Sequence, residues 1–202
     1  MTTELCDLFY KYGADKCPQI FHSYSPEYYQ SLHPLKNDIK NVLEIGIGTR
    51  QIMVPISGEK YEIGASLKAW RDFFPNATIY GLDIVKDVLF NEERIKCYYT
   101  DQSKSDELLK TINIISEDNQ DTNFEFDLII DDGSHIVNHM ILSFNTLKNT
   151  LKKEGLYIIE DIKLKDLNIF KKLSDEYFEI IKIHEGEFEW DSFIIYRKKS
   201  WI

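Results

Sequence analysis

The feature that most constrains this chain is a series of short apolar runs, most of them closing on glycine or an acid, with helical periodicity between them. The runs are NVLEIG (41–46), TIYGLD (78–83), IKCYYT (95–100), FDLIID (126–131), GLYIIED (155–161), YFEIIKI (177–183) and SFIIYR (192–197). Their β-branched and aromatic bias predicts buried strands. Helical spacing is read in ASLKAWRDFF (65–74), in SDELLKTINII (105–115) and from Val137 to Leu151, where Met140, Phe144, Leu147 and Leu151 share a face. This alternation implies an α/β fold on a mostly parallel, seven-stranded sheet with right-handed crossovers and helices on both faces. Such sheets bind ligands outside the carboxyl ends of their strands, so acids placed there mark a site. The last two runs are joined only by HEGEFEWD (184–191), which predicts an antiparallel hairpin at one edge.

Residues 1–40 stand outside the pattern: a short helix over Glu4–Tyr12, a polar GADKCPQ loop and the aromatic cluster of HSYSPEYYQSLHPL (22–35). They read as an N-terminal cap on a core of residues 41–202, the 202 residues together forming one domain. TRQIMVPISGEKYEIG (49–64) is longer than a glycine turn needs before the next helix, and reads as a lid-like loop. A net charge of −10 and a pI near 5.0 leave no footprint for nucleic acid or an anionic membrane surface. Cys6, Cys17 and Cys97 offer neither a CxxC spacing nor an even count, and read as reduced thiols. The N-terminus lacks the basic and apolar regions of a signal peptide and no run is long enough to span a bilayer, so the expected location is the cytoplasm. A homo-oligomer is compatible with all of this.

In EIGIG (44–48) the glycines Gly46 and Gly48 permit a sharp turn close to a ligand, and Glu44 sits near the strand end where it can meet a polar cofactor group. The pair alone is a weak signal. Gln51 stands where a dinucleotide fingerprint needs its third glycine, which points to a cofactor without a pyrophosphate. Asp83 closes the second run where an acid accepts from both ribose hydroxyls, and Asp101-Gln102-Ser103 follows the third with groups for an adenine edge. Each acid alone could equally be a helix cap or a solvated loop residue. In order, they describe a nucleoside pocket, with Asp131 at the fourth strand end as a structural or supporting acid of the same set.

YGADK (12–16), HSYSPEYY (22–29), VLEIGIG, IGASLKAWRDFFPNATIYGLDI (63–84), DQS, DLIIDDGSH (127–135) and GLYIIEDI (155–162) together resemble the metal-dependent sugar O-methyltransferases that act on macrolides such as mycinamicin and tylosin. The resemblance implies a Rossmann-like class I methyltransferase fold and S-adenosylmethionine (SAM) as cofactor. It places Glu44 and Gly46 at the methionine part of SAM with Ser66 close by, Asp83 at the ribose, and Asp101 with Gln102 around the adenine. The chain is short for this family, whose long N-terminal region serves assembly and acceptor binding, so neither oligomeric state nor acceptor carries over.

Methyl transfer from a sulfonium is an in-line displacement, so the acceptor oxygen must be deprotonated or polarised and held in line. In DDGSH (131–135), a neutral His135 can take the hydroxyl proton. Asp132 lies one step past its strand end, and Glu160-Asp161 ends the neighbouring strand about 4.8 Å away. Three carboxylates in one cleft call for a cation, and oxygen ligands favour Mg²⁺ or another hard divalent ion. Asp132, Glu160 and Asp161 are therefore the expected metal ligands and His135 the expected base, positions that hold those roles in the resembling family. Without the motif, His135 would read as a cap for the helix beginning near Ile136, and Glu160-Asp161 as a charged loop. Of the other histidines, His139 reads as a surface or supporting residue, while His22, in the cap, could face the acceptor; Tyr24, Tyr28 and Tyr29 read as cap packing.

The sequence therefore points to an O-methyltransferase acting on a small-molecule acceptor, a sugar or nucleotide sugar. The alternatives are a catechol-like diol or an amine as acceptor, or a SAM- or nucleotide-binding module without catalysis, against which the DDGSH and ED motifs argue.

Overall fold

The computed structural model describes residues 2–186 and 189–200. Eight strands form one sheet: β1 (Asn41–Ile45), β2 (Thr78–Asp83), β3 (Asn91–Glu92), β4 (Ile95–Tyr99), β5 (Phe126–Asp131), β6 (Leu151–Ile162), β7 (Phe178–His184) and β8 (Ser192–Lys198). Their order is β3-β4-β2-β1-β5-β6-β8-β7. The five strands from β4 to β6 are parallel, and β8 lies antiparallel between β6 and β7, as the short connection predicts. Glu187 and Phe188 of that connection lie outside the described residues. The eighth strand, absent from the sequence reading, is the exposed two-residue β3, which pairs antiparallel with β4 and has too few residues to show a period.

Among the described residues, seven α-helices surround the sheet: α1 (Glu4–Tyr12), α2 (Tyr24–Leu32), α3 (Arg50–Ser57), α4 (Ala65–Phe73), α5 (Ser105–Asp118), α6 (Val137–Leu147) and α7 (Leu167–Lys171). Alternation along the strands sends successive side chains to opposite faces. Val42 of β1 joins a core with Leu5 and Phe9 of α1, Tyr28 of α2 and Trp70 of α4. Leu43 joins the opposite core, with Leu108 of α5 and Met140 and Phe144 of α6. The N-terminal cap thus shares one core with the sheet. Among the described residues, no helix is long and apolar enough to cross a membrane.

Two helical readings need correction. α6 stops at Leu147 and a 3-10 turn leads into β6, so Leu151 starts a strand that is longer than its apolar stretch suggests. Much of the expected loop 49–64 is helical: Thr49 Oγ1 caps α3 by accepting from the Ile52 N–H, the helix continues through Pro55, and a 3-10 turn follows over Gly58–Lys60. The proline removes one intrahelical donor, which ordinarily ends a helix, but a two-turn helix survives it. α2 likewise accommodates Pro26 in its first turn, where no intrahelical donor is lost.

Candidate active site

The parallel strands deliver their loops to one edge, and backbone contacts lock those loops together. Gly46 N–H donates to Leu82 O at 2.8 Å and Asp132 N–H to Ile45 O at 2.9 Å. Gly46 has φ 96°, and a Cβ there would lie 2.1 Å from the Asp132 carbonyl oxygen, so only glycine fits. The two oxygens of Asp83 accept from the N–H groups of Ile47 and Val85, each at 2.8 Å. A carboxylate has about four acceptor sites, which leaves Asp83 capacity for a ribose hydroxyl. The Tyr61 hydroxyl closes the turn by donating to Gly48 O at 2.9 Å.

These loops enclose a cavity of about 760 Å³, a size suited to a nucleoside cofactor with a small reactant. Gly46, Gly48, Ser66, Asp83, Asp101 and Gln102 all line it, as do Asp132, His135 and Asp161. Three residues of the expected set do not: Glu44, Asp131 and Glu160 are fully buried behind the wall. Burial raises Glu44 and Asp131 each to about 7, against the pull of Lys16 on the first and of Gln102 on the second. Gln102 is also recast, since its side-chain amide donates to Asp131 at 2.5 Å while its Oε1 accepts from the Ser134 N–H at 2.9 Å. It braces the DDGSH loop from the cavity wall, with one N–H and one lone pair of the amide left over. Asp101 is held by the N–H and hydroxyl of Ser103, at 3.0 and 2.6 Å.

Asp132, His135 and Asp161 offer ligand atoms within 4.8 Å of one another. His135 lies between the acids, Nε2 at 3.3 Å from Asp132 and Nδ1 at 3.5 Å from Asp161. Both His135 (φ 54°) and Asp161 (φ 51°) adopt the left-handed region, a strained backbone that gathers at functional sites. Burial lowers the His135 pKa, but the two carboxylates prevail and hold it up to about 9. Glu160 is not drawn into this cluster. Its Oε2 pairs with the buried Lys16 ammonium, which also contacts Asp132 and lies 3.7 Å from Glu44. Burial works against the charge on Asp132, yet Lys16 and His135 bring its pKa down to about 2.

The cap contributes more than packing. Tyr24, expected only to pack, donates its hydroxyl to Asp161 at 2.7 Å. His22 bonds Asp191 through Nδ1 at 2.7 Å and lines the cavity, with Nε2 3.6 Å from Asp161. Lys16 belongs to the YGADK motif, but the sequence assigns it no role. His139 lies on the cavity wall, bonded to Ser134 at 3.0 Å. Cys17 and Cys97 are pushed up to about 11 by burial and are unreactive thiols.

No protein-family model matches the chain. It is 36% identical over 141 residues, 70% of its length, to a demethylmacrocin O-methyltransferase of Streptomyces fradiae, of which it covers 32%. It is 32% identical over 159 residues, 79% of its length, to an 8-demethyl-8-alpha-L-rhamnosyl tetracenomycin-C 2'-O-methyltransferase of Streptomyces olivaceus, of which it covers 38%. Its fold superposes on the MycE methyltransferase of the mycinamycin pathway, solved with Mg and SAH, with a TM-score of 0.71 and 26% identity over 98% of this chain. Over about 70% of its own length the chain is thus similar to O-methyltransferases of the mycinamicin and macrocin type. It shares their class I methyltransferase fold, with one short strand more than the sequence predicts. The chain spans about a third of the length of the curated relatives it matches and 55% of the solved structure.

Proposed function

We propose that this chain is a SAM-dependent, divalent-metal-dependent O-methyltransferase acting on a hydroxyl of a sugar-containing small molecule. The observation that carries the reading is the meeting of Asp132, His135 and Asp161 in the cavity that Asp83 and the glycine turn also line. The name of the tetracenomycin relative, a 2'-O-methyltransferase of a rhamnosyl product, supports the acceptor class.

The residues suit a hard cation. Asp132, Glu160 and Asp161 are oxygen donors, and Glu160 Oε1 is buried without a hydrogen-bond partner. These three acids would hold the ion, with Mg²⁺ the preferred species, and His135 would be left for proton transfer. Bound there, the ion would supply a Lewis acid that acidifies an acceptor hydroxyl and orients it.

The glycine turn would hold SAM, with Asp83 accepting from its ribose and Asp101 beside its adenine. The carboxylate pull that otherwise keeps His135 protonated would be offset by a cation on Asp132 and Asp161, and the neutral imidazole would then receive the acceptor proton. Fixing the acceptor oxygen beside the methyl donor supplies the remaining advantage.

The test is transfer of labelled methyl from SAM to a panel of rhamnosides and nucleotide sugars, before and after chelation with EDTA and restoration of Mg²⁺. Turnover untouched by EDTA rejects the metal. In the same assay, His135→Ala should lose kcat with SAH binding intact, and full activity in that variant would remove His135 from the proton transfer.

A further inference from the structure

Lys16 has its ammonium buried among the acids of the site. Its residue is 1% exposed, and its ammonium touches Asp132 and Glu160 and approaches Glu44 to 3.7 Å. Asp132 directly follows β5, and Glu160 and Glu44 stand near the ends of β6 and β1, so one side chain from the cap neutralises acids delivered by three strands. Asp132 is divided between two neighbours: Oδ2 faces Lys16, and Oδ1 faces His135. The ammonium therefore shares with the Asp132–His135–Asp161 cluster the carboxylate that is central to it. Two positive charges a few ångströms apart repel by an amount that low-dielectric surroundings magnify. Any divalent ion held by Asp132 and Glu160 must bind against that repulsion.

We propose that Lys16 is a tethered counter-ion that competes with the divalent cation for Asp132 and Glu160, and so sets the site to bind metal reversibly and weakly. This rests on the metal reading above. Lys16 is a positioning residue: it touches the carboxylates and not the reacting atoms. It gives the acids a fixed partner without which their burial would be unfavourable, and it limits the affinity of the exchangeable ion. The same contact with Glu44 places the N-terminal cap, the cofactor turn and the metal cluster in one charge network.

The experiment is titration of the whole chain with Mg²⁺, followed by calorimetry and by the rise in melting temperature, for wild type, Lys16→Met and Lys16→Arg. Met keeps the length of the side chain and removes the charge; Arg keeps the charge. Lys16→Met should bind Mg²⁺ roughly tenfold or more tightly than wild type, while Lys16→Arg stays near the wild-type value. A Lys16→Met chain that is unfolded in EDTA and regains its far-UV circular dichroism on addition of Mg²⁺ also supports the proposal, because the ion has taken over the counter-ion role. Equal or weaker Mg²⁺ binding by Lys16→Met, or an unfolded variant that Mg²⁺ does not rescue, overturns it. Wild type that binds no Mg²⁺ sinks the metal reading itself, an outcome distinct from wild type that binds and a variant that binds no better.

Discussion

Gly46 and Asp132 touch backbone to backbone: a Cβ on the first would stand 2.1 Å from the carbonyl oxygen of the second. The cofactor turn after β1 and the chemical motif after β5 are thus built against each other, 86 residues apart, and neither can shift alone. Gly46→Ala must either open this contact or leave φ 96°. The backbone strain alone costs about 1–3 kcal/mol, before any clash is counted. Urea denaturation should report at least that loss, and calorimetry with SAH should show binding abolished. Full stability would mean that the loops are less tightly joined than this contact requires.

Asp83 serves its turn twice, through Ile47 and Val85, before any ligand is considered. Asp83→Ala should lower SAH affinity by roughly 10–100-fold, the worth of a charge-assisted hydrogen bond. Calorimetric titration with SAH checks it. Affinity equal to wild type would remove Asp83 from the ribose and leave it as a turn residue.

The sheet and most of the cavity wall were legible because both are local in the sequence. Strands announce themselves by apolar runs, and Asp83, Asp132 and Asp161 stand at or just beyond the ends of such runs. What could not be read depends on partners remote in the chain. Lys16 meets Glu160 across 144 residues, and no local pattern marks a lysine that will be buried. Gln102 looks like a wholly free amide until its bonds to Asp131 and Ser134 are seen. Tyr24 reads as an aromatic packing residue because its ring does pack, while its hydroxyl does something else. α3 was hidden by Pro55 and Gly58, which look like breakers, although Thr49 caps the helix and Arg50 ties it to Tyr61 O at 2.9 Å.

Glu44 connects stability to pH. Burial raises its pKa from the ordinary 4.5 to about 7, so the folded protein holds a proton that the unfolded chain releases between those values. A raised carboxyl pKa contributes stability at low pH that is lost as pH rises from about 4.5 through 7, amounting to the order of 3 kcal/mol. Glu44→Gln should therefore melt higher than wild type at pH 8, with the difference shrinking toward pH 4. Thermal melts across that pH range check it, and a difference independent of pH would show that Glu44 does not titrate there.

Tyr24 is the sharpest test of whether the cap takes part in the site. Its phenol carries a single proton, and the carboxylate of Asp161 at 2.7 Å is a better acceptor than Trp190 O at 3.2 Å. Asp161 also sits in a strained left-handed conformation, so the hydroxyl fixes the orientation of a carboxylate that the backbone does not favour. Partners of this kind are worth about 10–100-fold in metal affinity. Tyr24→Phe removes one oxygen from a ring that still fills its place against Tyr28 and Phe193, so the core should hold. Calorimetry should show Mg²⁺ affinity reduced at least about tenfold, with SAH affinity unchanged because Asp83 and the glycine turn are untouched. Unaltered Mg²⁺ affinity in a folded Tyr24→Phe protein would return Tyr24 to the packing role its sequence suggests.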